Sequence, residues 1–216
     1  MSIDPADPAH GVALTDRVLE RVRRDPGASA LSYADVPWVV GEPAPMSPDV
    51  LAGTTFPSGR PLSPGLRAWL AFDTGLLRRY GWFDATGSLA PRPLHRIVAD
   101  EMGAGWEAEF LPFADRFGEC FLLPGGSDSR RLLAVGAPDS TGEYPVLALD
   151  FDDLPFVGLM YPGFDVYLGH TAGLIEREFT GYTVLAGDPV YGRRMREHAR
   201  LRFAGRLGAE FPFAHS

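Results

Sequence analysis

The residues able to do chemistry are few and scattered. Histidine stands at 10, 95, 170, 198 and 215, and no pair has HxH, HExxH or HxxxH spacing, so the chain spells no local metal nest. Ser, His and Asp are all present, but no GxSxG elbow holds a serine at a sharp strand–helix turn. Cys120 lies inside Cys120-Phe121-Leu122-Leu123, where a thiol behaves as a small buried hydrophobe. There is no GxxxxGK[ST], and Gly125-Gly126 is too short for a dinucleotide fingerprint and reads as a hairpin loop. The most suggestive local set is Asp150, Asp152 and Asp153. On a strand Asp150 and Asp152 share one face, so they could hold a divalent cation or divide acid and base roles. A solvated strand end before Leu154-Pro155 accounts for them equally well. These patterns assign no catalytic residue, no metal ligand and no cofactor, and the expectation is a protein that is not an enzyme.

Charge distribution says more than any motif. From Leu132 to Glu176 the chain carries Asp139, Glu143, Asp150, Asp152, Asp153, Asp165 and Glu176 and no arginine, whereas Arg177–Arg206 is rich in arginine. An acidic stretch of this extent suits a docking face for a basic protein, because complementary fields speed encounter; a charged sheet edge that discourages strand pairing is the other reading. The expected contact set is Asp139, Glu143, Asp150, Asp152 and Asp153, with Tyr144, Phe156 and Tyr161 as aromatic anchors. The arginines at 193, 194, 196, 200 and 202 fit a solvated helix face or a clasp onto the acidic sheet better than a nucleic-acid surface. A formal charge of −8 also opposes phosphate-backbone binding.

With 216 residues the chain can bury roughly 70% of its unfolded surface without a metal or disulfide staple. One cysteine, no basic-then-apolar leader and no apolar run near the ~20 residues needed to span a bilayer lead to the expectation of a cytoplasmic protein with no membrane partner.

The elements that must position these residues read as α+β: a single domain with a central, largely antiparallel sheet flanked by helices. Residues 1–15 read as a flexible terminus. The spacing predicts a helix from Asp16 to Arg24, with Val18, Leu19 and Val22 on one face. Short extended pieces follow over 28–60. A helix then starts at Ser63-Pro64 and carries Leu66, Trp69, Leu70, Leu76, Leu77 and Tyr80 to Gly81, since serine caps and proline suits the first turn. A short helix is expected over His95–Met102. Strands are expected at Glu107–Phe113, Cys120–Leu123, Leu132–Val135 and Val146–Phe151, separated by turn clusters. Helices over Phe164–Ile175 and from Asp188 to about Arg206 close the chain, the latter within an arginine-rich extension (177–216) packed on the same domain.

The segment Phe56-Pro57-Ser58-Gly59-Arg60-Pro61-Leu62-Ser63-Pro64 leading into Leu66-Arg67-Ala68-Trp69-Leu70-Ala71-Phe72-Asp73 resembles the early part of the SUKH superfamily, which joins Smi/Knr-type yeast cell-wall regulators to bacterial immunity proteins. The strands at Cys120–Leu123, Leu132–Val135 and Val146–Phe151, followed by Phe164-Asp165-Val166-Tyr167-Leu168, are similar to its later part. The likeness spans residues 16–176 at its widest and is most evident over 55–176. It implies a non-enzymatic module that neutralises a cognate toxin domain, with no catalytic set to carry over; the chain's acidity suits a basic, cytosol-active toxin. A small metal- or carboxylate-dependent hydrolase using Asp150 and Asp152 with His170, and a scaffold or regulator of the same fold, are the rival readings.

Overall fold

The computed structural model describes residues 8–31, 34–113, 116–125, 129–150 and 156–210, and its centre is an antiparallel sheet built in chain order. Cys120–Leu123 (β3), Ser129–Ala134 (β4), Val146–Asp150 (β5) and Phe156–Tyr161 (β6) each pair with the next, and Gly208–Glu210 (β7) adds to β6. Cys120 lies opposite Ala134, Leu132 opposite Leu147, and Asp150 opposite Phe156. Side chains on both faces of β3, β4 and β5 are almost all buried. The sheet is therefore covered on each side, which explains why its strands read as continuous apolar runs rather than alternations. With the helices described next, this is an α+β architecture.

Helix α1 runs from Pro8 to Arg24 and places Leu14, Val18, Leu19 and Val22 on one buried stripe. It takes up much of the stretch that the sequence reading leaves to a flexible terminus. It packs against α3 (Pro64–Leu70) and α7 (Phe164–Thr171). Between α1 and α3 lie the antiparallel pair β1 (Ser29–Leu31) and β2 (Ala34–Pro37) and the short α2 (Pro48–Gly53). Ser47 and Ser63 cap α2 and α3: each hydroxyl accepts the N–H three residues on at 3.4 Å, and a proline fills the first helical position.

Two further expectations are corrected. The single helix from Ser63 to Gly81 is two, because Asp73 breaks it. Its carboxylate accepts the Ala44 and Leu76 N–H groups, both at 3.0 Å, and a side chain that competes for backbone donors restarts the helix as α4 (Gly75–Arg79). The strand expected at Glu107–Phe113 is helical: α5 (Leu94–Met102) leads through a 3₁₀ turn into α6 (Glu107–Phe110), with Phe110 fully buried. The run after Pro155, to which the sequence assigns no element, is β6, an interior strand between β5 and β7.

Aromatic rings fill the space beside the sheet. Trp82 lies 4.5 Å from Phe121, ring centre to ring centre, and its indole N–H donates to the Leu122 carbonyl at 2.6 Å. Phe56 contacts both Phe121 and Tyr144. The last helix, α8 (Gly192–Arg202), packs on β6. Among the described residues no helix is long and apolar enough to cross a membrane.

Asp73 gives a direct test of this local wiring. Asp73→Ala leaves two N–H groups without their acceptor and is expected to cost about 2 kcal/mol. Asp73→Asn, which keeps one acceptor, is expected to cost less. Urea unfolding midpoints of the three proteins check the order.

Candidate functional site

A cluster of ionisable groups lies inside the protein. It begins with a tight turn at residues 139–143, where one oxygen of Asp139 accepts the Thr141 N–H (2.9 Å), the Thr141 hydroxyl (2.6 Å) and the Glu143 N–H (3.1 Å). Aspartate favours such turns because its side chain can satisfy its own following backbone. The turn aims the other Asp139 oxygen at Arg194, whose Nε donates to it at 2.6 Å. The two terminal nitrogens of Arg194 grip Asp165 on α7 at 2.9 and 3.1 Å, the forked geometry that makes arginine–carboxylate pairs strong. Arg194 is 1% exposed, and Asp165 and Glu143 are fully buried.

Glu143 joins two more elements. Its carboxyl oxygens accept the Gly65 N–H in the first turn of α3 (2.6 Å) and the Phe164 N–H at the start of α7 (3.2 Å). One side chain thus serves two helix ends that lack partners of their own. His198, one turn beyond Arg194 on α8, points Nε2 at the Pro162 carbonyl at 2.9 Å. A carbonyl can only accept, so the proton is on Nε2, which also lies 3.5 Å from Asp139.

These backbones come close because glycine permits it. A Cβ at Gly163 would collide with the Asp165 carboxylate and the Arg194 guanidinium, and one at Gly65 would crowd Glu143 at 3.0 Å.

The electrostatics divide the acids. Burial alone would raise the Asp139 pKa, but the His198 hydrogen bond, the Arg194 charge and the Thr141 hydroxyl outweigh it and hold the carboxyl well below its ordinary range. Glu143 goes the other way. Burial, reinforced by the neighbouring charge of Asp165, pushes it up to about 8 against the opposing pull of Arg194 and the Gly65 N–H. Elsewhere, burial pushes the Cys120 thiol up to about 12, so little thiolate is available at neutral pH. Among the described residues no group of three or more His, Cys, Asp or Glu side chains could hold a metal ion; in this cluster a guanidinium occupies the space between the carboxylates.

The expected acidic docking face is corrected by burial. Asp139 and Glu143 belong to the interior cluster. Tyr144 is fully buried, with its ring on Phe56 and its hydroxyl donating to the Pro61 carbonyl at 2.9 Å. Tyr161 is 3% exposed, packed against Tyr167 and Phe179, with its hydroxyl 3.0 Å from Nδ1 of His170. None of these four can touch a partner in this conformation. Asp152 and Asp153 lie outside the described residues. Asp150 and Phe156 are half-buried and do come together, paired across β5 and β6. Tyr182 joins them, stacking on Phe156 at 5.7 Å and donating its hydroxyl to Asp150 at 2.6 Å.

Arg194 is the functional-scale residue that reading charges along the chain misses, although a signal for it exists. Tyr191, Arg194, Met195, His198 and Ala199 recur at i, i+3, i+4, i+7 and i+8, the spacing of a buried helix stripe. An arginine on that stripe must meet carboxylates inside.

Comparison with known proteins adds the fold but no function. No protein-family model and no curated protein matches the chain. Among solved structures it is similar to an uncharacterized protein from Salmonella enterica subsp. enterica serovar typhimurium str. 14028s, at 13% identity and a TM-score of 0.57, over 91% of this chain and 94% of that one.

Two measurements probe the cluster. Arg194→Met strips the buried acids of their cation and is expected to cost ~3–5 kcal/mol, since breaking a buried pair leaves an uncompensated charge; denaturant unfolding measures it. The pH dependence has two limbs of opposite sign. Glu143 keeps its proton in the folded state up to about 8, against an ordinary 4.5, so its contribution is full below about 4.5 and is lost as pH rises towards 8. Asp139, lowered from 3.8, contributes stability above that value that is lost as pH falls below it. Glu143→Gln is expected to lower stability at every pH, because its amide opposes one of the two N–H groups, and to flatten the decline between pH 5 and pH 8. Melting temperatures across pH 3–9 for both proteins show whether that slope belongs to Glu143.

Proposed function

We propose that the protein is a non-enzymatic, immunity-type module of the cytoplasm that binds a basic toxin domain and neutralises it. The observation that carries this reading is the end of the β5–β6 hairpin, where the Asp150 carboxylate sits with the stacked rings of Phe156 and Tyr182, all three half-buried. Aromatic anchors beside a charge are the composition from which protein interfaces draw most of their energy and their steering. The net charge of −8 favours a basic partner, and the α+β architecture agrees with the fold that the SUKH resemblance implies. The contact surface is therefore narrower than the acidic stretch of sequence: it is Asp150, Phe156 and Tyr182, not Asp139, Glu143, Tyr144 or Tyr161.

Co-expression with any toxin domain found encoded next to its gene tests the reading. The wild-type protein is expected to rescue growth and to hold the toxin in a stoichiometric complex that weakens between about 0.1 and 0.5 M salt, as screening shortens the reach of exposed charges. Asp150→Asn and Phe156→Ala are expected to weaken the complex at least tenfold while keeping the wild-type circular dichroism spectrum. Rescue without a complex, or a complex indifferent to both substitutions, would count against this surface; no rescue and no complex would count against the function.

A further inference from the structure

A cavity of about 590 Å³ opens between the loop before α3, the loop before β3 and the end of α8, and its charged lining is Arg60, Arg116, Arg200 and Arg202 with Glu119. We propose that this pocket binds a small ligand of the oligophosphate class, one carrying several negatively charged phosphoryl groups. The inference stands apart from the toxin-binding reading, since it uses none of the same residues.

Three features support it. First, arginines outnumber acids in the described lining. Four guanidinium groups face one carboxylate in a chain whose net charge is −8, and among the described residues none of the four makes an ion pair, although arginines at 92, 96, 130, 177 and 194 do. A second cavity, about 670 Å³ beside α1, sets Arg17, Arg21 and Arg24 against Glu20 and Asp25 and is nearly balanced. Like charges gathered in a concave site focus the field and raise the local concentration of counter-ions.

Second, the floor of the pocket is prepared. The Arg202 guanidinium lies flat against Gly136, where any Cβ would displace it. It is anchored by long bonds to the carbonyls of Ala134 (3.3 Å), Val135 (3.4 Å) and Arg116 (3.4 Å). Its Nε is buried without a protein partner. Glu119, the acid of the lining, accepts the Ser58 N–H at 3.2 Å. Burial and the charge of Arg60 both depress the Arg202 pKa, a repulsion that an anion would relieve.

Third, the chemistry and size agree. Planar guanidinium forks match phosphoryl oxygens in pairs, and 590 Å³ falls in the usual range of small-ligand sites.

Calorimetric titration of the full chain with pyrophosphate and tripolyphosphate at about 0.15 M salt is the test, with citrate as a carboxylate of comparable charge. Saturable binding below about 1 mM is expected for both phosphates, at least tenfold tighter than for citrate. Arg60→Gln and Arg200→Gln, both at exposed positions, are expected to weaken it tenfold or more with little change in the urea midpoint. Arg193→Gln, exposed on α8 but outside the pocket, is expected to leave it intact. No saturable binding, equal binding of citrate, or equal loss in Arg193→Gln would overturn the proposal.

Discussion

A guanidinium with almost no contact with water is the constraint around which this protein is arranged. Removing an arginine and its carboxylate partners from water costs several kcal/mol per ion, and mutual attraction recovers it only when the geometry is good and the remaining donors are satisfied. Arg194 meets that condition through Asp139 and both oxygens of Asp165. Each requirement then fixes another element. The 139–143 turn must close so that Asp139 is aimed inward, α7 must begin where it does so that Asp165 lies within reach, and Gly163 must lack a side chain. Glu143 extends the arrangement to α3. Apolar packing supplies the bulk of the driving force, as in any domain of this size. The cluster supplies a penalty for every arrangement that leaves it incomplete.

Residues that act locally were legible in the sequence. Ser63-Pro64 announced a helix start, and the apolar runs at Cys120–Leu123 and Val146–Phe151 announced strands, because capping and β-propensity are properties of a few neighbouring side chains. Residues whose role depends on distant partners were not. Asp73 resembles one more polar position on a helix until its carboxylate is seen to hold Ala44. Glu107–Phe110 mixes acids and aromatics without a decisive period, and only the burial of Phe110 shows which state wins. Phe156–Tyr161 follows a proline and contains Gly158, both of which argue for a loop, yet β7 and β5 pair on either side of it.

The candidate site was misread for a related reason. A count of charges along the chain treats every acid as solvated, and the stretch from 132 to 176 looks like a surface on that basis. Asp139, Glu143 and Asp165 are instead spent on Arg194 and on two helix ends, leaving Asp150 and Glu176 as the acids of that stretch that the structure places outside the cluster. The arginine-rich tail divides likewise. Arg194 turns inward, Arg193 and Arg196 outward, and Arg200 and Arg202 line a pocket together with residues far away in the sequence. Linear asymmetry of charge was a true signal, but of an internal clasp at least as much as of a surface.

The order in which the clasp is made also bears on synthesis. Asp139, Glu143 and Asp165 leave the ribosome before Arg194, so throughout the translation of the intervening residues three carboxyl groups have no cation to accompany them into the interior. Closing the core over them at that stage would bury Asp139 and Asp165 without their cation or force them to take up protons, and either course costs free energy. Strands β3 to β6 precede α8 in the chain, whereas the junction of α7 with α8 is completed only by Arg194. A chain interrupted before Arg194 lacks the cation that Asp139 and Asp165 share.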